Sequence, residues 1–220
     1  MDRMFKKLFI VFLIISSYSI SALAEKVVVF EFTEQEFETL EVRKVRGSNG
    51  KTKYSLGRNE NGGFLRAEAM GTASGLGKKV KIDLNKTPFI NITWKIEKDL
   101  KGIDEKTKKG HDFAARVFVV KKTGLTPLSN KAVNYVFSSN NSVNESWRSP
   151  YTKSSVDYVL STTKDNINEW VTVKANVKEH FKKLHDLDVE ELSGVAIMTD
   201  TDQTKIKAIS YYQNIYFSSE

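Results

Sequence analysis

F-I-N-I-T-W-K-I (89–96) decides the fold class. Ile90, Ile92, Trp94 and Ile96 alternate with Asn91, Thr93 and Lys95, so one face of an extended strand is buried and the other is wet. The same period of two recurs at Val27–Phe32, Phe64–Ala69, Lys78–Leu84, Phe113–Lys121, Ala132–Ser138, Val156–Thr163, Trp170–Ala175, Ser193–Thr199 and Ala208–Phe217. Turns rich in Gly, Asn, Asp, Ser and Lys divide these runs. Parallel pairing needs long crossovers. About nine or ten strands without intervening helices therefore predict an all-β fold, an antiparallel β-sandwich or jelly roll.

One short helix is expected where Val177, Phe181 and Leu184 recur at i, i+4 and i+7, with Asn176 as its cap. Glu34–Leu40 can form another short turn. Residues 98–109 and 140–153 read as long loops, which in a compact domain carry function or motion. Neither repeats nor low-complexity tracts divide the chain, so residues 25–220 are expected to form one sandwich domain.

At the N-terminus, Arg3, Lys6 and Lys7 precede an apolar run from Leu8 to Ile15, and Ser21-Ala22-Leu23-Ala24 supplies small residues for cleavage. Residues 1–24 thus read as a secretory signal peptide. Their apolar run is shorter than the ~20 residues of a membrane span. Export is expected, to the periplasm of a Gram-negative bacterium or beyond, with no membrane span after processing. The absence of cysteine leaves stability to apolar burial. The net charge of +7 falls to +5 without Asp2, Arg3, Lys6 and Lys7. Its lysines are scattered singly and in short pairs, which favours a solvated surface over a nucleic-acid groove and leaves attraction to anionic polysaccharide or lipid open.

Charged and amide groups enter the strand-like runs at three places: G-H-D-F-A-A-R-V-F-V-V (110–120), N-Y-V-F-S-S-N (134–140) and G-V-A-I-M-T-D-T-D (194–202). A buried Arg116 needs a carboxylate or a ligand. Alternation puts Asp112, Ala114, Arg116, Phe118 and Val120 on one face, and Ala196, Met198, Asp200 and Asp202 on one face of another strand. The cluster reads either as a structural salt bridge or as the polar floor of a site for a hydroxyl-rich ligand. Arginine donates through a fork and aspartates accept, which suits vicinal hydroxyls. Asn134 and Ser138 would add hydrogen bonds. Trp147 and Tyr151, on the long loop, would supply an apolar wall, while Tyr135, Phe137, Tyr211 and Phe217 read mostly as core.

These motifs also carry a resemblance. His111-Asp112-Phe113-Ala114-Ala115-Arg116-Val117, Asn134-Tyr135-Val136-Phe137-Ser138-Ser139, Ser149-Pro150-Tyr151-Thr152, Val195 to Thr204 and Tyr211 to Ile215 resemble the bacterial family catalogued as domain of unknown function 3047. His111 replaces that family's first acid and Asn214 its last. The resemblance implies a fold similar to galactose-binding-like jelly rolls and a bacterial exported context; it carries no activity.

Catalytic signatures are missing: no cysteine nucleophile, G-x-S-x-G elbow, H-E-x-x-H zinc pair or glycine-rich phosphate loop occurs. His180 and His185, five apart, point to different sides of a helix, and no cofactor is expected. Asp200-Thr201-Asp202 offers two carboxylates to a structural calcium but lacks the EF-hand pattern. The expected function is binding of a carbohydrate or other polar ligand. A glycan hydrolase or lyase using paired aspartates is the first alternative, and a structural or protein-interaction module the second.

Overall fold

A computed structural model describes residues 24–126, 129–165 and 167–220. The expected signal peptide therefore lies outside the described residues except for Ala24. In chain order the elements are β1 (Lys26–Phe30), α1 (Glu34–Thr39), β2 (Val42–Lys44), β3 (Lys53–Asn59), β4 (Gly62–Met70), β5 (Ala73–Lys78), β6 (Ile82–Asp83), β7 (Phe89–Lys98) and β8 (Phe113–Lys121). They continue with β9 (Lys131–Ser138), β10 (Ser146–Arg148), β11 (Ser155–Thr162), β12 (Val171–Asn176), α2 (Val177–His185), β13 (Glu191–Leu192), β14 (Gly194–Asp200) and β15 (Lys207–Ser218).

Two large sheets form a sandwich of the jelly-roll kind. One runs β12-β7-β15-β4-β3, with β1 also paired to β15; the other runs β10-β11-β9-β8-β14-β5-β2. The alternation that defined the strands builds the core between them. Trp94, Ile92, Leu65, Tyr212 and Phe217 from the six-stranded sheet meet Val117, Tyr135, Ile197 and Leu76 from the seven-stranded one. The indole of Trp94 donates to Ser161 Oγ at 2.9 Å, so burying this ring leaves its one donor satisfied. β15 serves both β4 and β1 along one edge because a bulge at Asn214, with φ of 49°, divides the two pairings. Asparagine enters that left-handed region more readily than most residues.

Several features depart from the sequence expectation, among them β2 and β3, which no alternation marked. The pairing is antiparallel except between β9 and β11, which run parallel because the connection between them returns as β10 along the outer edge of β11. Trp147, expected in a loop without strand character, is the centre of β10. The Lys78–Leu84 run is no single strand: β5 ends at Lys78, and Ile82–Asp83 pairs only with β13. β5 itself was hidden by Gly75 and Gly77, which weaken a strand signal but admit the close backbone of β14; a Cβ at Gly75 would stand 3.3 Å from Ile197 O.

The expected helix is α2, with Asn176 Oδ1 accepting from Glu179 N at 3.1 Å and Phe181 fully buried. The short turn expected at Glu34–Leu40 also forms: Glu34–Thr39 is α1, stabilised by Thr33 at its start and by Glu36, which accepts the backbone N–H groups of Glu31 and Phe32. Among the described residues no helix is long and apolar enough to cross a membrane.

Candidate functional site

The functional motifs converge on the outer face of the seven-stranded sheet, and a bulge sets their arrangement. Met198 of β14 pairs with Arg116 of β8, but Asp200 pairs with Phe113, so β8 holds one residue more than β14 over this interval. Ala114 and Ala115 both join the core. Phe113, rather than Ala114, consequently shares the outer face with Arg116, whose guanidinium lies 4.7 Å from the Phe113 ring and 5.4 Å from that of Phe118. Backbone groups freed by the bulge find partners from the core: Tyr212 Oη accepts from Arg116 N at 3.3 Å and donates to Met198 O at 2.7 Å, and Thr199 Oγ1 donates to Ala114 O at 2.9 Å.

Arg116 grips Asp200 at two points, Nε donating to Oδ1 at 2.9 Å and Nη2 to Oδ2. Asp112 faces the same group but is spent on the loop after β14, accepting from Gln203 N at 3.2 Å and from Thr204 N and Oγ1 at 2.6 and 2.7 Å. Carboxylate oxygens of Asp112, Asp200 and Asp202 lie within 4.8 Å of one another. Burial pushes the Asp200 carboxyl up to about 7; Arg116 opposes the rise, while Asp112 and Asp202 add to it. Burial disfavours the charged guanidinium of Arg116, but Asp200, Asp157 and Asp112 outweigh it and hold the group above its ordinary value.

This cluster could be asked to hold a calcium ion, as Asp200 and Asp202 suggest. Its donor set answers otherwise: Asp200 already accepts a guanidinium and Asp112 is filled by loop hydrogen bonds, so Arg116 supplies the positive charge that an ion would. The carboxylates are also close enough to be considered as an acid and base pair for glycoside cleavage. Asp112 is 0% and Asp200 2% exposed, however, and both are engaged. A glycosidic oxygen has no access to either in this arrangement.

Asn134 lies beside the cluster and donates from Nδ2 to Asp157 Oδ1 and Ser155 Oγ, each at 2.8 Å. Ser138 is directed to Glu105, to which it donates. Two acids were missed in the sequence. Asp157, fully buried in β11, meets His111 Nε2 at 2.8 Å as well as Asn134. Its signal was available: like Arg116, it is a charge inside an apolar run, between Val156 and Tyr158. Glu105 belongs to the long loop before β8, where no periodicity marks it. It accepts from Ser138 Oγ, Ser139 N, Asn140 Nδ2 and Asn141 Nδ2, and burial raises its carboxyl against the lowering effect of these donors.

Trp147 and Tyr151 remain accessible. Trp147 is half-buried, its ring stacked on Phe113 at 6.5 Å and 20°, with Lys106 Nζ at 5.2 Å from the indole. Tyr151 is 52% exposed, packs edge-on against His111 at 5.5 Å, and donates to Lys108 O at 2.9 Å. The structure therefore brings Asp112, Arg116, Asn134, Asp157, Asp200 and Asp202 into one polar layer, closes most of it, and sets two aromatic rings over it. Of the rings read as core, Tyr135, Phe137 and Phe217 are buried, whereas Tyr211 lies partly exposed beside Phe64 and Trp170.

The family described as "Protein of unknown function (DUF3047)" matches residues 38–216, a span that includes every strand carrying this site. The chain belongs to that family. In this DUF3047 member the matched span contains Asp112, Arg116, Asn134 and Asp200, which build the polar layer. A search of curated sequences finds no match. Among solved structures, the family 30 carbohydrate-binding module of a Clostridium thermocellum cellulosomal cellulase is similar at 9% identity and a TM-score of 0.51, covering 89% of this chain and 98% of the module. The xyloglucanase domain of NopAA from Sinorhizobium fredii is similar at 9% identity and a TM-score of 0.46, covering 81% of this chain and 92% of that domain. At these identities the likeness is one of fold.

Proposed function

We propose that this DUF3047 protein binds a saccharide on the outer face of its seven-stranded sheet, with Trp147 and Tyr151 as the stacking surfaces. The observation that carries the reading is the fixing of both rings before any ligand arrives. Phe113 underlies Trp147, and His111 together with Lys108 O holds Tyr151, so little side-chain freedom is lost on binding. Apolar sugar faces stack on such rings, while hydroxyls seek the donors and acceptors around them. The family 30 module supports the reading because a protein of this fold is named for binding carbohydrate. Arg116, Asp112 and Asp200 act here as the rigid base that positions the rings.

The proposal includes its setting. The Arg3–Ala24 pattern supports export, and the ligand is then a glycan of the envelope or its surroundings.

Calorimetric titration of residues 25–220 against a panel of bacterial and plant oligosaccharides tests the reading. Binding of one class, lost in Tyr151→Ala without a change in melting temperature, is the expected result. Absence of binding across the panel would transfer the reading to a protein-interaction module.

A further inference from the structure

Next to Tyr151 the surface opens into a groove of about 660 Å³ lined by Lys131, Arg148, Ser149, Pro150, Tyr151, Thr152, Lys153 and His185. Three of its side chains carry fixed positive charge, and its lining holds no carboxylate. Among the described residues neither Lys131, Arg148 nor Lys153 takes part in an ion pair.

Arg148 is nevertheless held in place. Its Nη1 donates to Lys153 O at 3.0 Å and lies 3.2 Å from His185 Nδ1, and its Nη2 donates to Leu184 O at 2.9 Å at the end of α2. His185 donates from Nε2 to Ala132 O at 2.9 Å, which leaves Nδ1 as the acceptor for Arg148. The ring is thus a neutral support, and burial keeps it so by lowering its proton affinity. The arginine's contacts are all to neutral acceptors. Its charge, with that of two lysines, is gathered at one edge of the proposed stacking surface without a counter-charge.

We infer that the saccharide bound at Tyr151 is anionic, with a carboxylate-bearing sugar whose charged group lies in the groove of Lys131, Arg148 and Lys153. The inference rests on the proposed saccharide reading and adds the charge class of the ligand. An immobilised guanidinium can receive a carboxylate with little ordering cost, and the two lysines complete the charge. Pro150 and Tyr151 offer apolar surface to the sugar ring beside it. A neutral glycan would use Tyr151 and leave the cationic groove without a role.

The test uses calorimetry with residues 25–220, a panel of uronic-acid oligosaccharides, and the same oligosaccharides after reduction of their carboxyl groups to hydroxymethyl groups. Neutral glycans, inorganic phosphate and vesicles of anionic lipid complete the probes. Expected is binding of an acidic oligosaccharide at least about tenfold tighter than its reduced form, weakening between about 50 and 500 mM salt. Lys131→Met/Lys153→Met should lose about tenfold for the acidic ligand and keep its melting temperature. Equal affinity for acidic and reduced forms, unaffected by that double variant, would overturn the charge class and leave the saccharide reading standing. Binding of phosphate as tight as that of the oligosaccharide, or of anionic vesicles with no oligosaccharide bound, would overturn the inference in favour of a plain anion or membrane surface. Failure with acidic and neutral glycans alike would overturn the saccharide reading itself.

Discussion

Arg116 and Asp200 form a two-point ion pair in a place where neither is solvated: they are 5% and 2% exposed, and the guanidinium is clasped between Phe113 and Phe118. The pair is local in space and distant in sequence, and it locks the bulged part of β8 to the end of β14. Because Asp112 and Asp202 crowd the same carboxylate, the pair carries surplus negative charge. Burial above all, with that surplus added, brings the titration of Asp200 up to about 7.

Removing the arginine should consequently cost stability in a pH-dependent way. Arg116→Met leaves Asp200 buried without its partner and should destabilise the domain by about 3–5 kcal/mol when the carboxylate is ionised. Asp200 has a folded value of about 7 against 3.8 for the free side chain, so its contribution to stability is full below the lower value and is lost as pH rises through the upper one. Without Arg116 the ionised form is less favourable still. Urea unfolding at about pH 8 and about pH 5 should show the larger penalty at the higher pH. A cost under about 1 kcal/mol at both would mean that the pair is not what holds the bulge.

Much of this was legible from side-chain alternation. β8 has the predicted bounds, α2 starts at its predicted cap, and Asp112, Arg116, Asp200 and Asp202 do meet. Alternation counts residues, however, and cannot register one that a bulge absorbs, so Phe113 was assigned to the wrong face. Nor does period reveal a strand of three residues: β10 exists because β11 offers Ser146–Arg148 a free edge. Glu105 was invisible for another reason. Its partners, Ser138 to Asn141, lie beyond the loop and come near only when β8 and β9 have formed.

Trp147, half-buried, and Tyr151, exposed, should separate binding from folding to different degrees. Tyr151→Ala removes a half-exposed ring and one hydrogen bond to Lys108 O, so the melting temperature should move little while affinity for the saccharide falls. Trp147→Ala also uncovers Phe113 and should cost about 2 kcal/mol, roughly half the price of a fully buried tryptophan, in addition to the lost affinity. Trp147→Phe should restore most of the stability. Denaturant unfolding alongside calorimetry checks both, and unchanged affinity in both alanine variants would remove these rings from the site.

Glu105 should behave as an organiser of the loop rather than as a ligand contact. It gathers four donors from residues 138–141, while Ser139 Oγ accepts from Leu100 N and Asn140 Oδ1 from Gly102 N, both at 2.8 Å. Glu105→Ala leaves the buried donors of Ser138 and Ser139 without their common acceptor, while the more accessible Asn140 and Asn141 can turn to water, and it should cost about 2 kcal/mol. Hydrogen exchange should quicken at Leu100, Gly102 and Ser139 and stay unchanged at α2. Uniform acceleration over the whole sandwich would show instead that the loop and the sheets open as one unit.

His180 should supply an acid-sensitive point of the opposite sign to Asp200. Its ring lies 4.1 Å from that of Tyr158, and its Nδ1 is 3.1 Å from Tyr135 Oη, an arrangement that suits the neutral imidazole as acceptor. Burial first, and Lys183 second, lower its value from 6.5 to about 4. Between those values the unfolded chain binds more protons, so the stability linked to His180 is full above the upper value and is lost as pH falls through the lower one. Asp200 contributes the reverse trend over an overlapping range, and the total curve would hide both. Comparing His180→Phe with the unaltered protein cancels the aspartate. The variant should lose less stability on acidification over the range from about pH 6.5 to about pH 4. Parallel curves for the two proteins would show that the imidazole titrates alike in the folded and unfolded chains, and that its contact with Tyr158 survives protonation.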